Sequence, residues 1–182
     1  MIQYVYIHGF GTTGLGSNKF KKIKAHAESL NRKAFALEWN ENQENIIKLL
    51  HDQLMEVVNL NDPICLIGSS TGGNFTYQLL PLLKKNVANI SFILINPLVN
   101  VAQRKIENLN FPISLANQLK MPNNETKNGL ILLGEKDEVL DAFYTNEILN
   151  ATNKIIFGEN WNHTLSNLET KTFLSIIDDF IK

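Results

Sequence analysis

The segment Gly68-Ser69-Ser70-Thr71-Gly72 constrains this chain more than any other. It reads G-x-S-x-G, follows the apolar run Pro63-Ile64-Cys65-Leu66-Ile67 and precedes a helix-compatible stretch from Gly73 to Leu80. Strand, sharp turn and helix in that order are the context of a nucleophile elbow. Such a turn holds its serine at positive φ, a strained conformation that lifts the hydroxyl above the sheet. Gly68 and Gly72 fit because a Cβ at either place would collide with the neighbouring strand or helix. The five residues alone are equally compatible with a plain Gly/Ser turn, so the rest of the chain decides.

The chain around this turn alternates. Strands are predicted at 2–7, 34–38, 63–67, 90–95, 130–134 and 153–157, with helices at about 18–30, 46–58, 73–85, 140–150 and 165–181. Ile90-Ser91-Phe92-Ile93-Leu94-Ile95 and Leu130-Ile131-Leu132-Leu133 are nearly continuous apolar runs, as strands covered on both faces require. Strand–helix alternation predicts an α/β fold of about six mostly parallel strands with helices on both faces. The 182 residues suffice for one domain, 1–182. The stretch 97–128, with Pro97, Pro112 and Pro122, breaks the rhythm. It is expected as a short insert of small helices and loops over the active-site edge, a small lid or none.

A formal net charge of −1 argues against general nucleic-acid binding. No apolar run approaches the ~18 residues of a membrane span, and no signal-peptide pattern opens the chain. Cys65, the single cysteine, rules out an internal disulfide and is expected as a buried apolar residue. A cytoplasmic setting follows by default. The scattered histidines and the lack of H-E-x-x-H predict neither metal nor cofactor.

In open α/β sheets the ligand sits beyond the carboxyl ends of the strands. Those ends here carry His8-Gly9-Phe10-Gly11, Glu38-Trp39, Ser69-Ser70, Asn96-Pro97, Gly134 to Asp137 and Gly158 to His163. A serine nucleophile needs a base, and the base an orienting acid. His26 and His51 fall in predicted helices before the elbow, and His8 ends the first strand. Only His163 follows the serine, in the loop before the last helix. For the acid, Asp137 is the leading candidate in Gly134-Glu135-Lys136-Asp137-Glu138, with Glu135, Glu138 and Asp141 as alternatives. The backbone N–H groups of Thr71 and Phe10 are the expected oxyanion hole. His8 is expected to shape that loop and to transfer no proton. Phe10, Leu98, Phe111 and Leu140 are the expected substrate contacts.

Together these residues resemble the α/β-hydrolase superfamily, most closely its small YqiA-like esterases. The marks are Tyr6-Ile7-His8-Gly9-Phe10, Ile67-Gly68-Ser69-Ser70-Thr71-Gly72-Gly73, Leu94-Ile95-Asn96-Pro97 and Asp137-Glu138-Val139-Leu140-Asp141. The resemblance spans nearly the whole chain. It implies a Ser70–Asp137–His163 triad, hydrolysis of small-molecule carboxyl esters through an acyl-enzyme, and a fold that begins at the third strand of the larger superfamily sheet. Three departures stand out: Thr71 where the family usually has Leu, Gly11-Thr12-Thr13-Gly14 where its first loop tends to read Asn-Ser-Ser-Pro, and Leu165 where an aromatic usually follows the histidine.

One rival reading exists. Gly9-Phe10-Gly11-Thr12-Thr13-Gly14 spells G-x-G-x-x-G after the first strand, and Glu38 stands near where a ribose-binding acid belongs. A dinucleotide-binding protein would use Gly9, Gly11 and Gly14. It would leave Ser70, Asp137 and His163 without a role. Lys19, Lys21, Lys22 and Lys24 form a basic run on the first helix, expected as a solvated face. If Lys19 or Lys22 faces the cleft, it would favour anionic acyl substrates.

Overall fold

A computed structural model describes residues 1–87, 89–105 and 111–181. Six strands, β1 (Gln3–Ile7), β2 (Lys33–Leu37), β3 (Ile64–Ser69), β4 (Ile90–Ile95), β5 (Leu130–Gly134) and β6 (Lys154–Gly158), form one sheet in the order β2-β1-β3-β4-β5-β6. Every pairing is parallel. Helices α1 (Asn18–Ser29), α2 (Ile46–Val57), α3 (Thr71–Leu83), α4 (Ile113–Ala116), α5 (Ala142–Leu149) and α6 (Thr170–Ile181) fill the connections. This is the α/β-hydrolase architecture expected from the sequence.

Strand periodicity explains the three layers. Successive side chains point to opposite faces. In β1, Tyr4 and Tyr6 join α1 and α6 in one core with Cys65, Ile67, Ile93 and Ile95. Val5 and Ile7 join α2, α3 and α5 in the other, with Ile64, Leu66 and Leu94. Both faces are therefore apolar, which is why the central strands read as continuous hydrophobic runs. The sheet order reverses between β1 and β3, so the loops after these two strands splay apart and leave a crevice between them.

The ends of elements move a little from their expected places, each for a local reason. Helix α3 begins at Thr71, directly after Ser70. Helix α5 begins at Ala142 because the Asp141 carboxylate accepts the N–H groups of Phe143 and Tyr144 at 3.0 and 3.2 Å. Helix α6 begins at Thr170, although apolar spacing suggests 165. Leu165 sits at φ +53° and cannot start a helix; it and Leu168 are buried in the α1–α6 core from the preceding turn. Their apolarity serves packing and mimics a helical stripe.

The insert crosses the carboxyl edge beside α2 and α3. A short 3-10 turn, Val101–Gln103, and α4 are its regular pieces; residues 106–110 of the insert lie outside the described residues. Asn74 of α3 holds it down, donating to Leu98 O at 2.7 Å and Lys120 O at 3.1 Å while accepting the Lys120 N–H at 3.1 Å. Tyr77 Oη also donates to Lys120 O.

Candidate active site

Ser70 occupies the turn between β3 and α3. Ser70 has φ +53° and ψ −122°, a conformation that costs of order 1–3 kcal/mol for a non-glycine residue. The surrounding bonds hold it there. Its N–H donates to Ile95 O at 2.9 Å, and its carbonyl accepts from Gly73 N at 2.9 Å and Leu98 N at 3.0 Å. The flanking glycines are steric necessities. A Cβ at Gly72 would lie 2.2 Å from Ile7 O, and one at Gly68 would lie 2.1 Å from Thr76 Oγ1. Close contact between the turn, β1 and α3 leaves the Ser70 side chain half-buried at the cavity wall.

Asp137 and His163 reach this edge from β5 and β6. Asp137 Oδ2 lies 2.8 Å from His163 Nδ1, and Asp137 is only 2% exposed. Its other oxygen accepts the N–H groups of Val139 and Leu140, both at 2.8 Å. Three hydrogen bonds therefore fix one carboxylate, and the imidazole must present an N–H at Nδ1. Nε2 is left with its lone pair. Ser70 and His163 line the same cavity, of about 730 Å³, together with Gly9, Phe10, Ser69 and Leu165.

The alternative carboxylates are occupied elsewhere. Asp141 caps α5. Glu138 Oε2 accepts the His163 backbone N–H at 3.1 Å, and Glu135 is exposed. Two of the other histidines stand apart: His26 bonds Asp178 at 2.8 Å, and His51 lies 3.7 Å from Asp52.

Thr71 is the first residue of α3, so its N–H has no intrahelical acceptor. It sits at the positive end of the helix dipole, suited to a developing anion. Phe10 lies on the opposing loop, close above the elbow: a Cβ at Gly9 would stand 3.1 Å from Ser70 Cβ. His8 braces this loop. Its Nδ1–H donates to Gly9 O at 2.8 Å, its Nε2 accepts the Trp39 N–H at 3.3 Å, and its ring stacks on Trp39 at 5.0 Å. Burial pushes its pKa down, so it is a neutral strut.

The expected substrate contacts separate. Phe10 lines the cavity. Leu98 and Leu140 are 1% and 2% exposed, and it is their backbone N–H groups that matter here, on Ser70 O and Asp137 Oδ1. Phe111 packs edge-to-face on Phe10 at 5.6 Å, with the Arg104 guanidinium 4.9 Å above its ring. These three residues are not among those lining the 730 Å³ cavity.

Geometry speaks against the dinucleotide reading. The Glu38 carboxylate accepts the N–H groups of Gly14 and Leu15, both at 2.9 Å. The acid meant for a ribose and the N–H groups meant for a phosphate thus satisfy each other. Helix α1 starts only at Asn18, capped by Ser17, beyond the reach of a Gly14 turn. Among the described residues no group of three or more His, Cys, Asp or Glu side chains could hold a metal ion, and no helix is long and apolar enough to cross a membrane.

Asn96 is the residue whose role sequence reasoning missed. At φ +41° it ends β4 and ties three loops together. Its Nδ2 donates to Asn162 O at 3.2 Å and His163 O at 2.9 Å, and its Oδ1 accepts the Gly134 N–H at 2.8 Å. The signal was its place in Asn96-Pro97 at a strand end, read there only as a mark of resemblance. Asn96→Asp keeps the shape but sets a carboxylate against two carbonyls. A shift of His163 by ~1 Å is worth about 10² in rate. Turnover of a simple ester is therefore expected to fall about that far with KM little changed; an unaltered kcat would mean that the tie does not position the histidine.

A family model described as "Uncharacterised protein family (UPF0227)" matches residues 3–181, and the chain belongs to that family. The resemblance to YqiA-like proteins drawn from the sequence is thereby borne out. No curated protein matches the sequence. Among solved structures, a methylesterase, MES16 from Arabidopsis, is similar at 13% identity and a TM-score of 0.71, covering 98% of each chain. Est1E from Butyrivibrio proteoclasticus with ferulic acid bound is similar at 11% identity and a TM-score of 0.75, over 99% of this chain and 88% of that one. A pyrethroid hydrolase from Sphingobium faniae JZ-2 is similar at 11% identity and a TM-score of 0.69, over 100% and 98%. At such identities the likeness establishes the α/β-hydrolase fold.

Proposed function

We propose that this member of the UPF0227 family is a serine hydrolase that cleaves carboxyl esters of short or soluble acyl groups, working in the cytoplasm as one domain over residues 1–182. The single observation that carries the reading is the Asp137–His163 pair at 2.8 Å, opening into the same cavity as a serine held at φ +53°. The occurrence of the fold in a methylesterase and in Est1E supports ester chemistry, although it does not select a substrate.

In this reading His163 Nε2 takes the Ser70 proton as Oγ attacks the ester carbonyl. The carbonyl oxygen becomes an alkoxide, met by the N–H groups of Thr71 and Phe10. Collapse expels the alcohol, which leaves with the proton from Nε2. Water, deprotonated by the same nitrogen, then attacks the acyl-enzyme; Nε2 returns that proton to Ser70 Oγ as the acyl–oxygen bond breaks and the acid leaves. Asp137 stays ionised throughout, fixing the tautomer and stabilising the imidazolium. Thioester and amide cleavage would use the same groups. Cys65 plays no part: it is buried in β3, and burial pushes its thiol up to about 12.

A series of p-nitrophenyl esters tests the reading. The insert packs against α3 and the loop before α2 and leaves Ser70 facing a cavity with many polar residues. Each methylene adds ~0.8 kcal/mol only where an apolar groove receives it. Acetate to butyrate esters are therefore expected to be cleaved faster, in kcat/KM, than esters of ten or more carbons. A maximum among the long chains would contradict the short-acyl preference, and no hydrolysis of any member would contradict the esterase reading itself.

A further inference from the structure

The cavity in front of Ser70 has an unusual electrical character. Its lining includes Lys19, Lys21 and Lys22 and not one carboxylate side chain. The chain as a whole carries 17 basic and 18 acidic residues, so this wall departs sharply from the average surface. The rest of the lining is His163 and Ser, Thr, Asn and Gly residues, with Tyr6, Phe10, Leu165 and Phe173 as the apolar part. The ion pairs among the described residues engage none of the three lysines. Lys24, the fourth member of the run, points away and pairs with Glu28 at 3.9 Å on the outer face of α1.

Resting on the esterase reading, we propose that the substrate carries a negative group, a carboxylate or an anion of like size, and that Lys19 is the residue that selects for it. Lys19 stands on the first turn of α1, behind the Ser17 cap, with its side chain partly buried at the wall shared with Ser70 and His163. Burial holds its ammonium down at about 8, Lys22 acting in the same sense and Asp137 against it. An ammonium partly shielded from water and without an ion pair among the described residues favours a counter-ion beside it. Lys21 and Lys22 lie further along the same wall, and they add attraction for an anion approaching from solvent.

The anion has two chemical sources. It is either on the acyl group, as in a half-ester of a dicarboxylic acid, or on the leaving alcohol, as in an ester of a hydroxy acid. Each has a simple probe with a neutral counterpart. Mono-p-nitrophenyl glutarate is compared with p-nitrophenyl valerate, and 4-acetoxybenzoate with its methyl ester. The quantity read is the ratio of kcat/KM for the anionic ester to that for its neutral partner, at pH 7 and low ionic strength. At least one ratio is expected to exceed about ten, and which one does so assigns the source. Lys19→Met should lower that ratio at least tenfold, mainly through KM, and Lys19→Arg should restore most of it. A readout free of turnover accompanies this: glutarate or benzoate should slow fluorophosphonate labelling of the native protein more than that of the Lys19→Met variant.

Ratios near or below one for both pairs, in a protein that hydrolyses the neutral esters, overturn the proposal and leave the esterase reading standing. A high ratio that survives Lys19→Met overturns the assignment to Lys19. Failure of every ester together with absence of fluorophosphonate labelling strikes the esterase reading instead.

Discussion

Replacing Ser70 with alanine is expected to abolish labelling by a fluorophosphonate and to lower kcat for a p-nitrophenyl ester by about 10⁶. The change removes only the hydroxyl. Ser70 makes no side-chain cap bond to α3, so no buried donor loses its partner. The strain at φ +53° is the same for alanine as for serine, and the bonds from Ile95, Gly73 and Leu98 run to the backbone. The variant should therefore unfold at the same urea midpoint as the parent, which separates chemistry from stability. Ser69 is the internal control. It lines the same cavity but is only 4% exposed. If labelling survived Ser70→Ala and vanished with Ser69→Ala, the nucleophile would be Ser69 and the elbow reading would be wrong.

The frame of this protein is legible in its sequence because the physics that writes it is local. Parallel strands buried on both faces must be apolar throughout, so Ile90–Ile95 and Leu130–Leu133 announce themselves. The turn at Ser70 is equally plain, since only glycine fits at 68 and 72 against β1 and α3. What brings Asp137 to His163 is less local. Chain order and loop position nominate both residues, but four carboxyl groups crowd the stretch from Glu135 to Asp141. Only the packed structure shows that Asp141 is spent on α5 and Glu138 on the His163 backbone.

The pocket is the least legible part, for a physical reason. Leu98 and Leu140 are apolar residues at the functional edge, and hydrophobicity cannot say whether such a residue faces the ligand or the core. The closing of the insert onto Asn74 and the Asx turn at Asp137 send both inward. Conversely, Lys19 and Lys22 read as part of a solvated helix face, because the period of α1 says which side faces the sheet but not which end overhangs the crevice. Asn96 escaped for a similar reason. Its work is done by a side-chain amide spanning three loops, a relation with no spacing in the sequence.

Asp137→Asn is expected to lower kcat by about 10⁴, and the hydrogen bonds say why the loss is so large for so small a change. Asp137 Oδ1 is pinned by two N–H donors, from Val139 and Leu140. An asparagine can satisfy both only with its carbonyl oxygen. Its amide group must then take the place of Oδ2, 2.8 Å from His163 Nδ1. An N–H now faces that nitrogen, so Nδ1 must become the acceptor and the ring proton must move to Nε2. The imidazole then presents a donor toward Ser70 and cannot remove its proton. Folding should change little, since every backbone bond to residue 137 is kept. Two further variants sharpen the test. Asp137→Ala, which imposes no tautomer but leaves Val139 and Leu140 without acceptors, should lose stability as well as rate. Asp141→Asn keeps an N-cap acceptor on α5 and should cost little in either. A greater loss of kcat from Asp141→Asn than from Asp137→Asn would show that the acid serving His163 is not the one 2.8 Å away.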